Sequence, residues 1–381
     1  MNVKERLLNA FMKKPVDRIP WLDAYGMVGR GQAEREARNM GMGIWWSRFP
    51  YDTELPNVAM EEKMVEGIVC RTYHTPKGSV TTKFRMKHGF GVSPGTPPSR
   101  WFTNGFGPPD PWPWFIEYMI KEPSDYDAVK FMIEDAVLTP NYEPFKRAEE
   151  QLGSDGIMLI RVEKSPIQKM FIQLMGVRTF ALHYYKYRDK FNELRQTIEE
   201  KDDEAWRIAA KAPAKIVHLP ENLDGVIISP EIFEKYHLPY YNKYASMMHE
   251  RGKIITAHMD GRLKSLAPLI GKTNIDAIDA FTPPPTGDLS IAEAKEIWRD
   301  KFALFINFPV SVYLLGEEET RKYMAELLRS IAPGYGFIIG MTEDVPHHLI
   351  PMAMRVLGSA LQDARVPLSP DSWSWAALYP I

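Results

Sequence analysis

The chain has a single cysteine, Cys70, among its 381 residues. That excludes an internal disulfide and any all-thiolate metal site, and it fits a reducing cytoplasm. An excess of charge of one sign is also missing: 47 Lys and Arg stand against 49 Asp and Glu, a formal net charge of −2. Nucleic acid and anionic membrane both need a basic surface, so both are disfavoured as main partners. No apolar run approaches membrane-spanning length, and the opening MNVKERLLNAFMKK is too polar for a signal peptide. There is no tandem repeat, no low-complexity tract, and no HExxH or CxxC motif.

What is present is an alternation of short apolar runs and longer amphipathic stretches. The runs are RIPWLD (18–23), GIMLIRVE (156–163), KIVHLPE (215–221), KIITAHMD (253–260), IDAIDAFT (275–282), FALFINFP (302–309) and GFIIGMTE (336–343). A continuously apolar run of this length reads as a strand buried on both faces, as in a parallel sheet. Helical patterns such as PEIFEKYHLPYYNKYASMMHERG and EEETRKYMAELLRSIAPG lie between them, the second closed by Pro-Gly. Strand–helix repeats of this kind imply right-handed crossovers and an α/β fold. Seven runs point to a (β/α)8 TIM barrel, with the eighth strand expected in the irregular region 40–135. A doubly wound open sheet competes, but no glycine-rich phosphate loop follows an early strand. GIVCRTYHTPKGSVTTKFRMK (67–87) reads as an inserted β-hairpin around Pro-Lys-Gly. The expectation is one barrel domain over 1–381, with an inserted hairpin and aromatic segment at about 65–120.

In such a barrel the active site lies at the C-terminal ends of the strands. Those ends carry Asp23, Glu163, Glu221 with Asn222, His258 through Asp260, Asn307, and Glu343 with Asp344. Any one of them is more often a solvated or capping residue than a catalyst. Asp344 reads as a helix N-cap, and Asp23 equally as a turn residue before Tyr25–Gly26. Taken together, spaced carboxylates and one imidazole facing one mouth suit a divalent metal held by nitrogen and oxygen. A second feature is SRWFTNGFGPPDPWPWFIEYM (99–119), whose aromatics include Trp112 and Trp114. It is either an irregular segment tied down by aromatic burial or a wall against which an aryl substrate could stack. Trp45–Trp46 and DSWSWAALYPI are further candidates for that wall or for a contact between two copies of the chain.

Several stretches together resemble a known family. ERLLNAFMKKPVDRIP at the start, ISPEIFEKYHLPYYNKY (228–244), the H-x-x-G turn at His258–Gly261 and the closing GFIIGMTEDVP (336–346) are similar to the uroporphyrinogen decarboxylase superfamily. The resemblance runs over nearly the whole chain in matching order, and it implies a (β/α)8 barrel. True decarboxylases of the superfamily carry an N-terminal R-Q-A-G-R segment; the corresponding WLDAYGMVGRGQAERE lacks it. The other branch comprises cobalamin-dependent methyltransferases that bind zinc through an H-x-C pair and a later cysteine. Here the pair reads His258-Met259-Asp260, and the later cysteine falls near Glu343. Carboxylates in place of both thiolates make a harder site, suited to a Lewis acid acting on an ether oxygen.

The resemblance therefore implies a zinc-dependent O-demethylase that moves a methyl group from a methoxylated aromatic to the cob(I)alamin of a separate corrinoid protein. The implied metal ligands are His258 and Glu343, with Asp260 or Glu221 as the third. Glu163 or Asp23 is the expected proton donor, and Tyr25, Asn222, Asn307, Trp112 and Trp114 are expected around the substrate. The alternative within the superfamily is a metal-independent decarboxylase or lyase, and a third possibility is a binding protein on a decayed barrel.

Overall fold

A computed structural model describes residues 1–24, 26–85 and 114–369. Eight strands close into a barrel, neighbour to neighbour in chain order: β1 (Trp21–Asp23), β2 (Met42–Arg48), β3 (Gly156–Arg161), β4 (Ile216–Leu219), β5 (Ile254–His258), β6 (Ala277–Phe281), β7 (Ala303–Asn307) and β8 (Phe337–Met341). All pairs are parallel, and β1 seals the ring between β2 and β8. Each of the seven apolar runs supplies one strand. The eighth, β2, lies inside the irregular region 40–135; its sequence MGIWWSR carries two tryptophans and a polar end instead of an aliphatic run.

Because side chains alternate across a strand, residues two apart share a face. Leu22, Trp45, Ile157, Leu159, Ile216, Ala277, Ala303, Phe305 and Ile338 meet in one buried cluster, joined by Leu7, Ala10 and Phe11 of the N-terminal helix Val3–Phe11. That helix starts on a capping box: the Asn2 side chain accepts from the Glu5 amide at 2.8 Å, and the Glu5 carboxylate accepts from the Asn2 amide at 3.1 Å. Where β1 meets β8 only glycine fits, since a Cβ on Gly340 would stand 2.2 Å from the Leu22 carbonyl oxygen. The ladder between β6 and β7 shifts register between Ile278 and Phe281, and Ala280 sits at φ 57°, a left-handed conformation that costs a non-glycine residue.

Contacts divide the chain into two compact units: residues 1–48, 143–161 and 213–381, which contain the whole barrel, and residues 49–142 with 162–212. The second unit holds a four-stranded antiparallel sheet made of Ala59–Val65, Ile68–Thr75, Gly78–Arg85 and Trp114–Glu117. Its central pair is the expected hairpin, paired from Ile68↔Arg85 to Thr75↔Gly78. The turn is closed by the Thr75 hydroxyl, which donates to the Gly78 carbonyl at 2.8 Å and accepts from the Lys77 amide at 3.0 Å. Val69, Tyr73, Val80 and Phe84 bury one face of the sheet. Trp101, Phe102, Phe106 and Trp112 of the aromatic stretch lie outside the described residues. Among the described residues, no helix is long and apolar enough to cross a membrane.

Candidate metal centre

The alternation that fills the lower barrel with apolar groups brings polar ones inward higher up the same strands. Ile216 is followed two residues on by His218, Ile254 by Thr256 and His258, Ala277 by Asp279, and Phe305 by Asn307. His218, Thr256, His258, Asp279 and Asn307 are all buried. Asp279 is the hub. Its Oδ1 is 2.7 Å from His258 Nδ1, and its Oδ2 accepts from the Thr256 hydroxyl at 3.2 Å and lies 3.4 Å from His218 Nε2. The His218 ring meets Trp45 edge to face, with centroids 5.1 Å apart. The other nitrogen of His258, Nε2, is 3.4 Å from Asp260 Oδ2.

The backbone fixes this hub. The Met259 amide donates to the Asp279 carbonyl at 3.0 Å, which ties the end of β5 to β6, and the Thr282 hydroxyl bonds the Ala280 carbonyl at 2.9 Å. Donor atoms of His218, His258 and Asp279 all lie within 4.8 Å of one another, so this buried group could hold a metal ion.

Charge follows geometry. Burial alone would lower the pKa of His258, but the Asp260 and Asp279 carboxylates outweigh it and raise the pKa to about 10. Burial pushes the Asp279 carboxyl upward, and the two histidines outweigh it and hold it below its usual value. Glu343 moves up: burial dominates and Asp260 adds repulsion, against hydrogen bonds from the Asn307 side chain and the Val310 amide. Glu343 is therefore electrostatically linked to His258 and Asp260 on one side, while its carboxylate accepts from the Val310 amide at 3.4 Å and neighbours the Asn307 side chain on the other. Asn307 also donates to the Thr282 hydroxyl at 3.1 Å and accepts from the Thr342 amide at 2.9 Å.

The structure thus gathers His258, Asp260, Glu343 and Asn307 into one neighbourhood. Glu221, just past the end of β4 in the same unit, is fully buried 3.7 Å from His237 Nδ1 and electrostatically linked to Tyr241, both on a helical stretch that contains the π-helical turn Phe233–His237. Asn222 follows it, half-buried. Asp23 alternates with Leu22 and Ala24, and its carboxylate accepts from the Met27 and Val28 amides at 2.9 and 3.2 Å. Burial lifts its pKa to about 7 against those two bonds. In the second unit, Glu163 is 3.9 Å from the buried Lys169, which is also 3.6 Å from Asp202. Trp114 stands exposed opposite Arg85 on an outer strand of the sheet. Tyr25 and Trp112 lie outside the described residues.

His218 and Asp279 were not singled out from the sequence, although both sit in quoted runs, KIVHLPE and IDAIDAFT. The available signal was a titratable residue in the middle of an otherwise apolar strand, where only a paired group is tolerated.

The family model described as Uroporphyrinogen decarboxylase (URO-D) matches residues 105–363, more than half of the chain. No curated protein sequence matches it. Among solved structures, the chain is similar to a methyltransferase from Methanosarcina mazei at 13% identity and TM-score 0.52, covering 93% of this chain and 98% of that one. It is more distantly similar to the GH18 chitinase ChiB of Flavobacterium johnsoniae, at 11% identity and TM-score 0.33 over 59% of this chain and 81% of that one. The IOLI protein solved with a zinc atom stands at 11% identity and TM-score 0.35, over 59% of this chain and 83% of that one. At these identities the likeness is one of fold.

Proposed function

The chain belongs to the uroporphyrinogen decarboxylase family, and on that premise we propose that it is a zinc-dependent methyltransferase. It takes the methyl group of a small methoxylated aromatic and passes it to the cob(I)alamin of a separate corrinoid protein. The observation that carries this reading is His258, whose Nε2 faces Asp260 at 3.4 Å while Glu343 interacts with both. One imidazole nitrogen with carboxylate oxygens fits a zinc-like ion with an open position and no thiolate. His258, Glu343 and Asp260 would hold it, and Glu221 is the alternative third ligand. Asp260 ranks first because it already neighbours His258, whereas Glu221 is engaged with His237 and Tyr241. The similarity in fold to a methyltransferase supports the reaction class.

When bound, such an ion supplies a Lewis acid for the ether oxygen. The methyl–oxygen bond breaks with its electron pair left on the oxygen, so that oxygen needs either the ion or a proton. Asp23, half protonated near neutrality, or Glu163 is the chain's candidate donor. Tyr25, Asn222, Asn307, Trp112 and Trp114 are the proposed substrate contacts, with the tryptophans stacking on the aryl ring.

One observation favours a second reading, a metal-independent decarboxylase or lyase. His258, held protonated between Asp260 and Asp279, can donate a proton with no ion present. Elemental analysis of the purified protein, together with a screen of methoxybenzoates, separates the two. The first reading expects about one zinc per chain and demethylated product only when reduced corrinoid protein, or excess cob(I)alamin, is added. Product from the chain alone, free of metal and corrinoid, overturns it in favour of the second.

A further inference from the structure

We propose that Asp279 is a positioning residue and not a metal ligand: it clamps His258 through Nδ1 so that Nε2 alone is presented toward Asp260. The inference rests on the metal reading above and specifies how the site is divided. Two ligand atoms bound at about 2.0–2.1 Å to one tetrahedral ion lie about 3.3 Å apart. The 3.4 Å between His258 Nε2 and Asp260 Oδ2 has that spacing. The 2.7 Å between His258 Nδ1 and Asp279 Oδ1 does not; it is the length of a charge-assisted hydrogen bond. One ring therefore shows two different environments, a hydrogen-bonding one below and a ligand-spaced one above.

The remaining oxygen of Asp279 is engaged as well. Oδ2 stands 3.4 Å from His218 Nε2, the same spacing as the Asp260 pair, so spacing alone does not set Asp279 apart. What does is that Oδ1 is taken by His258 Nδ1 at 2.7 Å and Oδ2 accepts the Thr256 hydroxyl at 3.2 Å. The carboxylate thus serves three neighbours from a fully buried position. Its backbone is pinned by the bond from the Met259 amide and by the left-handed Ala280 that follows it. A strained residue held beside a functional group is the kind of expense a fold retains for orientation. A carboxylate bonded to the far nitrogen of a ligating histidine fixes both its ring orientation and its tautomer. His218, packed on Trp45, then forms the floor that holds the second oxygen.

Cobalt(II) in place of zinc tests this, because its visible absorption reports the ligand set while chelator competition reports affinity. Asp279→Asn should still bind about one cobalt per chain with the band pattern of the unmodified protein, at an affinity about 10–100-fold lower. The amide can donate to Nδ1 and so drive the proton to the wrong nitrogen, which is why a near-isosteric change is enough. Thr256→Val, which removes one bond to Oδ2, should weaken affinity in the same direction and by less. A changed band pattern in Asp279→Asn would make Asp279 a ligand and overturn the proposal, as would unchanged affinity.

A second readout needs no metal. In the metal-free protein, 15N-labelled histidine should show a strongly hydrogen-bonded Nδ1 proton on His258 that moves in both Asp279→Asn and Thr256→Val. Absence of that proton in the unmodified protein overturns the clamp. Failure of the unmodified protein to bind zinc or cobalt overturns the metal reading instead, and the imidazole signal still decides the role of Asp279.

Discussion

Toward their N-terminal ends the barrel strands turn Ile216, Ala277, Ala303 and Phe305 inward; two or more residues further along, β4 to β7 carry His218, His258, Asp279 and Asn307. Both halves are buried and both alternate with period two, yet they obey different physics. The lower half gains from removing apolar surface from water, roughly 25 cal/mol per Å2, and requires only complementary volume. The upper half gains little from burial, since desolvating charges costs about as much as their attraction returns. What it does gain is geometry: every buried charge there has a named partner. The barrel separates the part that holds it together from the part that can bind an ion, along the length of single strands.

The largest effect expected from breaking that division is in the lower half. Phe305 is fully buried against Trp45, with ring centroids 6.0 Å apart. Phe305→Ala should lower the free energy of unfolding by about 3–5 kcal/mol in urea titration while the metal bound per folded chain stays constant. If metal content fell in step with stability, the two halves would be one cooperative structure and the comparison would fail. In the upper half the pattern should reverse. His258→Ala or Glu343→Ala should remove most of the bound zinc by elemental analysis. For His258→Ala the stability cost, that of leaving Asp279 Oδ1 without its donor, should be about 1–3 kcal/mol. Full metal occupancy in either variant would strike that residue from the ligand set.

Asp23 tests the same boundary through pH. Its folded pKa is raised by burial to about 7 from 3.8. A raised carboxyl pKa means that the folded state holds the proton longer than the unfolded one. Its contribution is therefore favourable below about pH 4, is lost as pH rises toward 7, and changes no further above that. One group can tilt stability by at most about 1.4 kcal/mol per pH unit in that window. Asp23→Asn should flatten the slope between pH 4 and 7. An unchanged slope would show that the carboxyl stays ionised on its two backbone amides.

The fold was legible because seven strands are continuously apolar, a pattern that a parallel barrel buried on both faces demands. β2 was harder to see because Trp45 and Trp46 supply its bulk, and single-residue patterns do not separate an aromatic strand from an aromatic loop. At the site, residues at strand ends were visible because a polar residue there interrupts an apolar run. His218 and Asp279 are masked because they sit inside the run, one and two residues before the strands end at Leu219 and Phe281, with apolar neighbours on both sides. Inward parity is a property of the closed barrel, and it is the barrel that pairs His218 with Asp279 across two intervening strand boundaries.

The smallest expected effect asks whether selectivity lies outside the barrel altogether. Trp114 belongs to the second unit and is 75% exposed, on a strand whose side chains alternate between exposed and half-buried. An exposed tryptophan contributes little to packing, so Trp114→Ala should change unfolding free energy by no more than about 0.5 kcal/mol. It should also leave zinc content unchanged, since no proposed ligand lies in that unit. An aromatic stack on a substrate ring is worth about 0.5–1.5 kcal/mol, which corresponds to roughly 2- to 12-fold in affinity. The expected result is a KM for a methoxybenzoate raised by that factor with kcat held, because the stack acts equally on substrate and transition state. A drop in kcat at constant KM would place Trp114 in the chemistry. Unaltered kinetics would confine recognition of the aryl ring to the barrel unit, and the upper half of its interior would then have to supply both the ion and the substrate contacts.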